Sequence, residues 1–311
     1  IAHALLIAAL GNDDATSSLL EDFVIAIIPV ANPDGYVYSW TTNRMWRKTR
    51  YSGSAGSCVG IDANRNWDYM WSVTDDNSYQ RQLKEPCTNV YSGPAPFSAP
   101  EVRAVATYLE LRQNHSWSGG SRDVRGHVVP GSGPVSAFLD YHSYAQMLLP
   151  PWAYKAGAQA PDGGYQTQLS ATMAEAIQRS SGRTFEYGSD LFPPDPGTGP
   201  DWAYGHLGIR ASLTIELEGP YISETGFCLP KELIASVGEE QLAALQALGE
   251  YLREYGWKPS ELIGMHTQEN FFVSDSARAD ASLDDESSMT TSSATASSAY
   301  FGALTTLLLA L

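Results

Sequence analysis

Basic side chains are scarce in this sequence: 19 Lys and Arg stand against 35 Asp and Glu, a formal net charge of -16. That balance excludes nucleic acid and anionic membrane surfaces as partners, since both require a basic footprint. Cysteine is scarce as well. Three in 311 residues are too few for a disulfide scaffold, although Cys58 and Cys87 could close one bridge across a Gly/Ser/Asn-rich stretch. Ordinary membrane-spanning length is missing too, because the terminal apolar segment from Ala299 to Leu311 is too short. No leader peptide is visible, and the first residue is Ile rather than Met. The apolar stretch Ile1 to Leu10 reads as a helix already under way, so the protein is expected to extend upstream.

What is present suits a folded α/β chain. Hydrophobic residues make up 43% of a 33.7 kDa protein, and 17 Tyr with 8 Trp supply an aromatic core or an aromatic-lined cleft. Phe23 to Val30 is an apolar run that reads as a buried strand, stopped by the turn chemistry of Asn32-Pro33-Asp34-Gly35. Residues 36–98 show little periodicity, a length of irregular chain that function or a disulfide clip would justify. Ser98-Ala-Pro-Glu101 predicts a capping box opening a helix to about Gln113. Strands are predicted at Ala137–Leu139 and Ala211–Leu217, with helices from about Tyr165 to Arg179 and from Leu233 to Trp257. Residues 186–200, rich in Pro and Gly, read as a rigid loop. Strands separated by helices predict an α/β sheet covered on both faces.

Composition divides the chain. Residues 1–260 carry the folded domain, and residues 261–311 form an acidic Ser/Thr-rich tail that cannot build a core. Its apolar end after a polar spacer matches a lipid-anchor attachment signal. Asn114-His115-Ser116 is a glycosylation sequon, and with the Cys pair it leans toward the secretory pathway.

Several residues could carry chemistry. His142 sits where a strand gives way to Ser-Tyr-Ala-Gln; taken alone, it is more often structural than a metal ligand. Glu216 ends an apolar strand and could be half-buried or simply an edge charge paired with arginine. Arg44, Arg47 and Arg65 cluster in an acidic chain, and guanidinium forks grip carboxylates bidentately, but loop ion pairs are equally open to them. Asn64 and Asn66 could be capping turns only.

The order of longer motifs adds a further reading. Asn32-Pro-Asp-Gly-Tyr36, Asn43-Arg-Met-Trp-Arg47, Cys58-Val-Gly-Ile-Asp-Ala-Asn-Arg-Asn-Trp67, Asp140-Tyr-His-Ser-Tyr144, Pro200-Asp-Trp202, Ser212-Leu-Thr-Ile-Glu-Leu217 and Thr225-Gly-Phe227 follow one another in sequence. Over residues 1–256 the chain resembles the zinc metallocarboxypeptidases of the pancreatic carboxypeptidase A/B type. The resemblance implies an α/β/α sandwich with a mixed, mainly parallel, nominally eight-stranded sheet whose early strands are missing here. It implies zinc as cofactor, with His142 as the last ligand, Glu216 as general acid/base, and Arg47 facing the developing oxyanion. Asn64 and Arg65 then hold the substrate's terminal carboxylate, Arg44 lines the approach, and Pro200 stands at the base of the side-chain pocket. Cys58 and Cys87 match the family disulfide, leaving Cys228 as a buried free thiol.

The expected activity of the intact protein is zinc-dependent release of apolar or aromatic C-terminal residues, from a secreted, surface-anchored or free monomer. Its counterpart is a catalytically inactive relative that binds peptide C-termini. Three departures from the family pattern matter. In the family the first metal motif, His-x-x-Glu, lies just upstream of the helix that Ile1-Ala-His-Ala resembles, so two of three zinc ligands are expected to be absent here and these residues alone to be inactive. Phe192 or Pro193 replaces a loop tyrosine, and Glu218 stands near where relatives carry an arginine, which alters the pocket's charge balance.

Overall fold

The computed structural model describes residues 2–11, 13–52, 58–114, 121–122, 128–129, 135–158, 160–219, 224–256 and 305–310. Helices α1 (Ala2–Leu10) and α2 (Asp14–Asp22) lead into β1 (Val24–Ile28) and α3 (Pro33–Thr41). The 3-10 turn Ala63–Arg65, α4 (Asn77–Lys84) and α5 (Pro100–Asn114) follow, then the short pair β2 (Ser121–Arg122) and β3 (Val128–Val129). Next come β4 (Val135–His142), β5 (Met147–Leu149), α6 (Gly163–Ser181), β6 (Glu186–Tyr187), α7 (Gly199–Gly205) and β7 (Ala211–Glu216). A 3-10 turn at Glu224–Phe227, α8 (Leu233–Tyr255) and β8 (Thr305–Ala310) complete the order.

The main sheet has six strands among the described residues, in the order β1-β8-β4-β7-β5-β6. It is mixed: β4 with β7 and β5 with β6 run parallel, and the other neighbours run antiparallel. Strand β4 is buried along its whole length, as a central strand covered on both faces must be. Period-2 alternation assigns those faces. Ala137, Leu139 and Tyr141 of β4, with Ala211, Leu213 and Ile215 of β7, pack against α2, α6 and α8 through Leu19, Leu169, Met173, Ile177, Leu245 and Leu248. Phe138 points the other way, into Trp67, Trp202 and the α5 residues Val102, Val105 and Leu109. Each buried Val, Leu, Ile, Phe or Met side chain among these contributes about 1.5–3 kcal/mol relative to exposure. The result is the α/β/α sandwich expected from the sequence.

Local chemistry differs from expectation at three places. Asn32-Pro33-Asp34-Gly35 opens α3 rather than merely stopping β1: the Gly35 amide donates to Asn32 Oδ1 at 3.0 Å, and Pro33 lies in the first turn. Asn and Pro serve a helix start as well as a turn, so the same residues read both ways. Ser98 does not close the predicted capping box. Its hydroxyl donates to Ala95 O at 2.7 Å, while the Ala99 amide donates to Asn66 Oδ1 at 2.8 Å, so the α5 start is capped from a distant loop. Finally, Thr305–Ala310, read from sequence as tail, pairs with both β1 and β4. The acidic Ser/Thr run within 257–304 lies outside the described residues. No described helix is long and apolar enough to cross a membrane.

Candidate active site

Strand alternation on the α7 side brings the expected chemical residues together. Asp140 and His142 share one face of β4, and His142 stands in register with Glu216 of β7 across the parallel pair. Both strands deliver these groups at their C-terminal ends, where open α/β sheets place ligand sites. His142 Nε2 lies 3.0 Å from Asp140 Oδ2 and 3.1 Å from Asn64 Nδ2. Nε2 thus faces an acceptor in Asp140 Oδ2 and a donor in Asn64 Nδ2, which favour opposite protonation states of this nitrogen. Burial works against the imidazolium, but the Asp140 and Glu216 charges outweigh it and raise the His142 pKa. Burial also raises the Glu216 carboxyl, against the opposing charges of His142 and Arg47.

The polar knot at 62–66 supplies the second wall. Asp62 is buried; its Oδ1 accepts the Asn64 amide at 3.1 Å, and its Oδ2 accepts Arg47 Nε at 2.9 Å. Burial works to raise the Asp62 carboxyl, yet Arg47 and Arg65 hold it below the ordinary carboxylate range. Asn64 is fixed at both ends of its amide, because Oδ1 accepts the Gly199 N–H at 3.0 Å while Nδ2 faces His142. Asn66 anchors the knot from behind, donating to Ser92 O and Ala95 O at 2.7 and 2.8 Å. Gly197 is obligatory here: its φ is +75°, and a Cβ would stand 2.6 Å from Arg65 O.

Arg44, Arg47, Asn64 and His142, with Met45, Trp46 and Phe227, line a cavity of about 130 Å³. Arg44 Nη2 donates to Phe227 O at 3.0 Å, tying the approach to the Glu224–Phe227 turn. Arg47 is 40% exposed at its side chain and stays available to a ligand in spite of Asp62. Arg65, by contrast, is buried and turned to internal partners. Its Nε donates to Tyr79 Oη at 2.8 Å, Nη1 to Asn64 O at 2.7 Å, and Nη2 pairs with Asp195 Oδ2 at 2.5 Å. Pro200 is buried at the start of α7, where its carbonyl accepts Ser212 Oγ at 2.9 Å, and it does not line this cavity.

Tyr79 and Asp195 are absent from the residues that the sequence offered for chemistry. Nothing local marks either one, since Tyr79 Oη donates to Asp195 Oδ1 across 116 residues of sequence. Glu218 proves remote in its chemistry: it pairs with Arg183 at 3.0 Å, and Arg183 also holds Glu240 at 2.8 Å. Cys58 and Cys87 form the expected disulfide, whereas Cys228, expected to be buried, is free and exposed. Asn114 ends α5, while His115 and Ser116 of its sequon lie outside the described residues.

A catalytic zinc needs three protein ligands and one open position. His142 is the one expected ligand at this site, and Glu216, in register with it, is the expected acid/base rather than a ligand. Among the described residues, no group of three or more His, Cys, Asp or Glu is arranged to hold a metal ion. The residues present therefore do not fit a catalytic zinc, and no reaction step is routed through one.

Comparison with known proteins agrees with this architecture. The family described as zinc carboxypeptidase matches residues 1–244. Carboxypeptidase A2 of Rattus norvegicus is 35% identical over 248 residues, covering 79% of this chain and 52% of that protein. The inactive metallocarboxypeptidase ECM14 of Blastomyces gilchristii is 31% identical over 268 residues, covering 79% of this chain and 41% of that protein. The chain thus spans about half the length of the curated relatives it matches. Among solved structures, bovine thrombin-activatable fibrinolysis inhibitor in complex with tick carboxypeptidase inhibitor superposes with a TM-score of 0.60 at 28% identity, covering 72% of this chain and 68% of that one.

Proposed function

The chain belongs to the zinc carboxypeptidase family, and from that premise we propose that it binds the C-terminal end of a peptide without hydrolysing it. The observation that carries the reading is the lining of the cavity, where Arg44, Arg47 and Asn64 converge beside His142 while no three-ligand metal cluster stands with them among the described residues. Guanidinium and amide donors suit a planar carboxylate. The aromatic and apolar walls at Trp46, Met45 and Phe227 suit an apolar terminal side chain. Relatives named inactive metallocarboxypeptidases support the absence of hydrolysis in this reading, and the relative solved with a carboxypeptidase inhibitor supports a protein or peptide ligand. The Cys58–Cys87 bridge favours an oxidising, extracellular setting.

A second reading, hydrolysis by the whole protein, is favoured by one arrangement. His142, Glu216 and Arg47 meet at a single site. In that reading Glu216 accepts a proton from water and returns it to the leaving amine, and Arg47 stabilises charge that develops on the scissile carbonyl. The release of apolar C-terminal residues belongs to this reading.

Calorimetric titration separates the two. N-acetyl-Gly-Gly-Phe as the free acid should bind without being consumed, and its C-terminal amide should bind at least tenfold more weakly. Equal affinity for acid and amide would sink the binding role. Release of free Phe with zinc present, abolished in Glu216→Gln, would establish the second reading.

A further inference from the structure

Asp195 does to Arg65 what a peptide's own terminal carboxylate would do. Its Oδ2 pairs with Arg65 Nη2 at 2.5 Å, and its Oδ1 accepts the Tyr79 hydroxyl at 2.7 Å. Tyr79 in turn accepts Arg65 Nε at 2.8 Å, so the three side chains form a closed triangle. The Arg65 side chain is 7% exposed and Asp195 27% exposed, so the acid is the more accessible member of the pair.

The loop carrying Asp195 is strapped to the site. Trp67 N–H donates to Gly197 O at 3.1 Å, Gly199 N–H donates to Asn64 Oδ1 at 3.0 Å, and the Asp195 amide donates to Ala153 O at 2.8 Å. These bonds fix the backbone while leaving the short Asp195 side chain to rotate about its Cα–Cβ bond. Asn64 links the two regions, because its carbonyl accepts Arg65 Nη1 and its side-chain amide lines the cavity beside His142. Asp195 also lies near enough for its charge to act on Glu216.

We propose that Asp195 is an internal carboxylate latch on Arg65: a peptide's terminal carboxylate reaches this guanidinium only when Asp195 swings away, so Asp195 sets the site's affinity for C-terminal acids. The inference rests on the reading that this site takes a peptide C-terminus; it adds Arg65, which does not line the cavity with Arg44, Arg47 and Asn64 but is joined to it through Asn64, as a further carboxylate donor under the control of Asp195. Asp195 already neutralises Arg65 at Nη2, so an external carboxylate that takes this position displaces Asp195, and one that binds beside it meets a like charge. The exchange conserves the Arg65 ion pair, and its net cost is the difference between an intramolecular partner and an external one. Tyr79 holds the latch by fixing Asp195 Oδ1.

The test compares dansyl-Gly-Gly-Phe, as free acid and as amide, binding to the full chain by fluorescence anisotropy. Asp195→Asn should tighten the acid about tenfold or more and leave the amide unchanged. Adding Arg65→Gln to Asp195→Asn should remove that gain. Tyr79→Phe keeps the ion pair but frees Asp195 Oδ1, and should tighten the acid by a smaller factor. If the wild type prefers acid to amide but Asp195→Asn binds the acid no better, the latch is refuted and the C-terminus reading survives. If neither protein distinguishes acid from amide, both fall. Should Asp195→Asn not fold, Tyr79→Phe decides, and unchanged acid affinity there overturns the latch.

Discussion

Asp62 and Arg47 are joined through Oδ2 and Nε at 2.9 Å, with the acid buried and the guanidinium half-exposed. The pair aims Arg47 at the cavity while Asp62 Oδ1 caps the Ala63–Arg65 turn through the Asn64 amide. One carboxylate thus sets both a ligand-facing cation and the turn that positions Asn64 beside His142. Structural and binding roles are fused at Asp62, so its loss should register in both.

Replacing Asp62 with Ala removes two charge-assisted acceptors from a buried position, and leaves Arg47 without this partner. The expected loss is about 2–4 kcal/mol of stability, read as a lower urea midpoint with unchanged slope. Acid-terminated peptide should bind at least tenfold more weakly. Asp62→Asn should keep part of the stability by continuing to accept the Asn64 amide, yet lose the grip on Arg47. A variant with full stability and full affinity would contradict the dual role.

Asn66 makes the same kind of argument at the rear of the site. Its amide nitrogen donates to Ser92 O, Ala95 O and Ser98 Oγ, and its oxygen accepts Ala99 N–H. Asn66→Asp preserves shape but turns a donor toward carbonyls into an acceptor, setting an anion against Ser92 O and Ala95 O. It should therefore cost more than about 2 kcal/mol and exceed Asn66→Ser in chemical denaturation. Equal cost for the two substitutions would show that packing, not polarity, governs the position.

How much of this was legible in the sequence depends on the range of the forces involved. His142 and Glu216 could be placed on strands because alternation is local, and period 2 then decided which face they shared. α5, α6 and α8 were legible from their apolar spacing. α3 was not: Gly35, Val37 and Thr41 are weak helix formers, and only packing and the Asn32 cap make Pro33–Thr41 helical. α4 hid inside an irregular region, though its Asp76 cap, accepting from Ser78 and Tyr79 amides, was a readable start signal. The Arg65–Tyr79–Asp195 triangle was beyond reach, because a long-range ion pair leaves no periodic trace.

The disulfide offers a third measurement. Cys58 and Cys87 are 29 residues apart and enclose the polar knot and α4. Closing a loop of that size restricts the unfolded chain by about 3–4 kcal/mol on the chain-entropy account. The double variant Cys58→Ser/Cys87→Ser should lose stability on that scale, and dithiothreitol should lower the wild-type midpoint without changing the variant's. A midpoint insensitive to reductant would show that the bridge constrains nothing.

Asp201 gives a pH dependence of definite sign. It is fully buried in α7, and both carboxylate oxygens accept the Ala153 amide at 2.9 and 3.0 Å, with Tyr154 N–H adding a third bond at 3.0 Å. Burial pushes its pKa up to about 7, and the backbone donors only partly offset this. Its unfolded value is close to 3.8, so between these limits the folded state holds a proton that the unfolded state has released. Stability from this group is therefore complete below about pH 4 and lost as pH rises through 7. Urea midpoints for wild type and Asp201→Asn should diverge accordingly. The wild type should lose roughly 2–4 kcal/mol more than the variant between pH 4 and pH 8. A difference that stays flat across that window, or one that grows toward acid, would mean that Asp201 is ionised throughout and that its backbone donors outweigh burial.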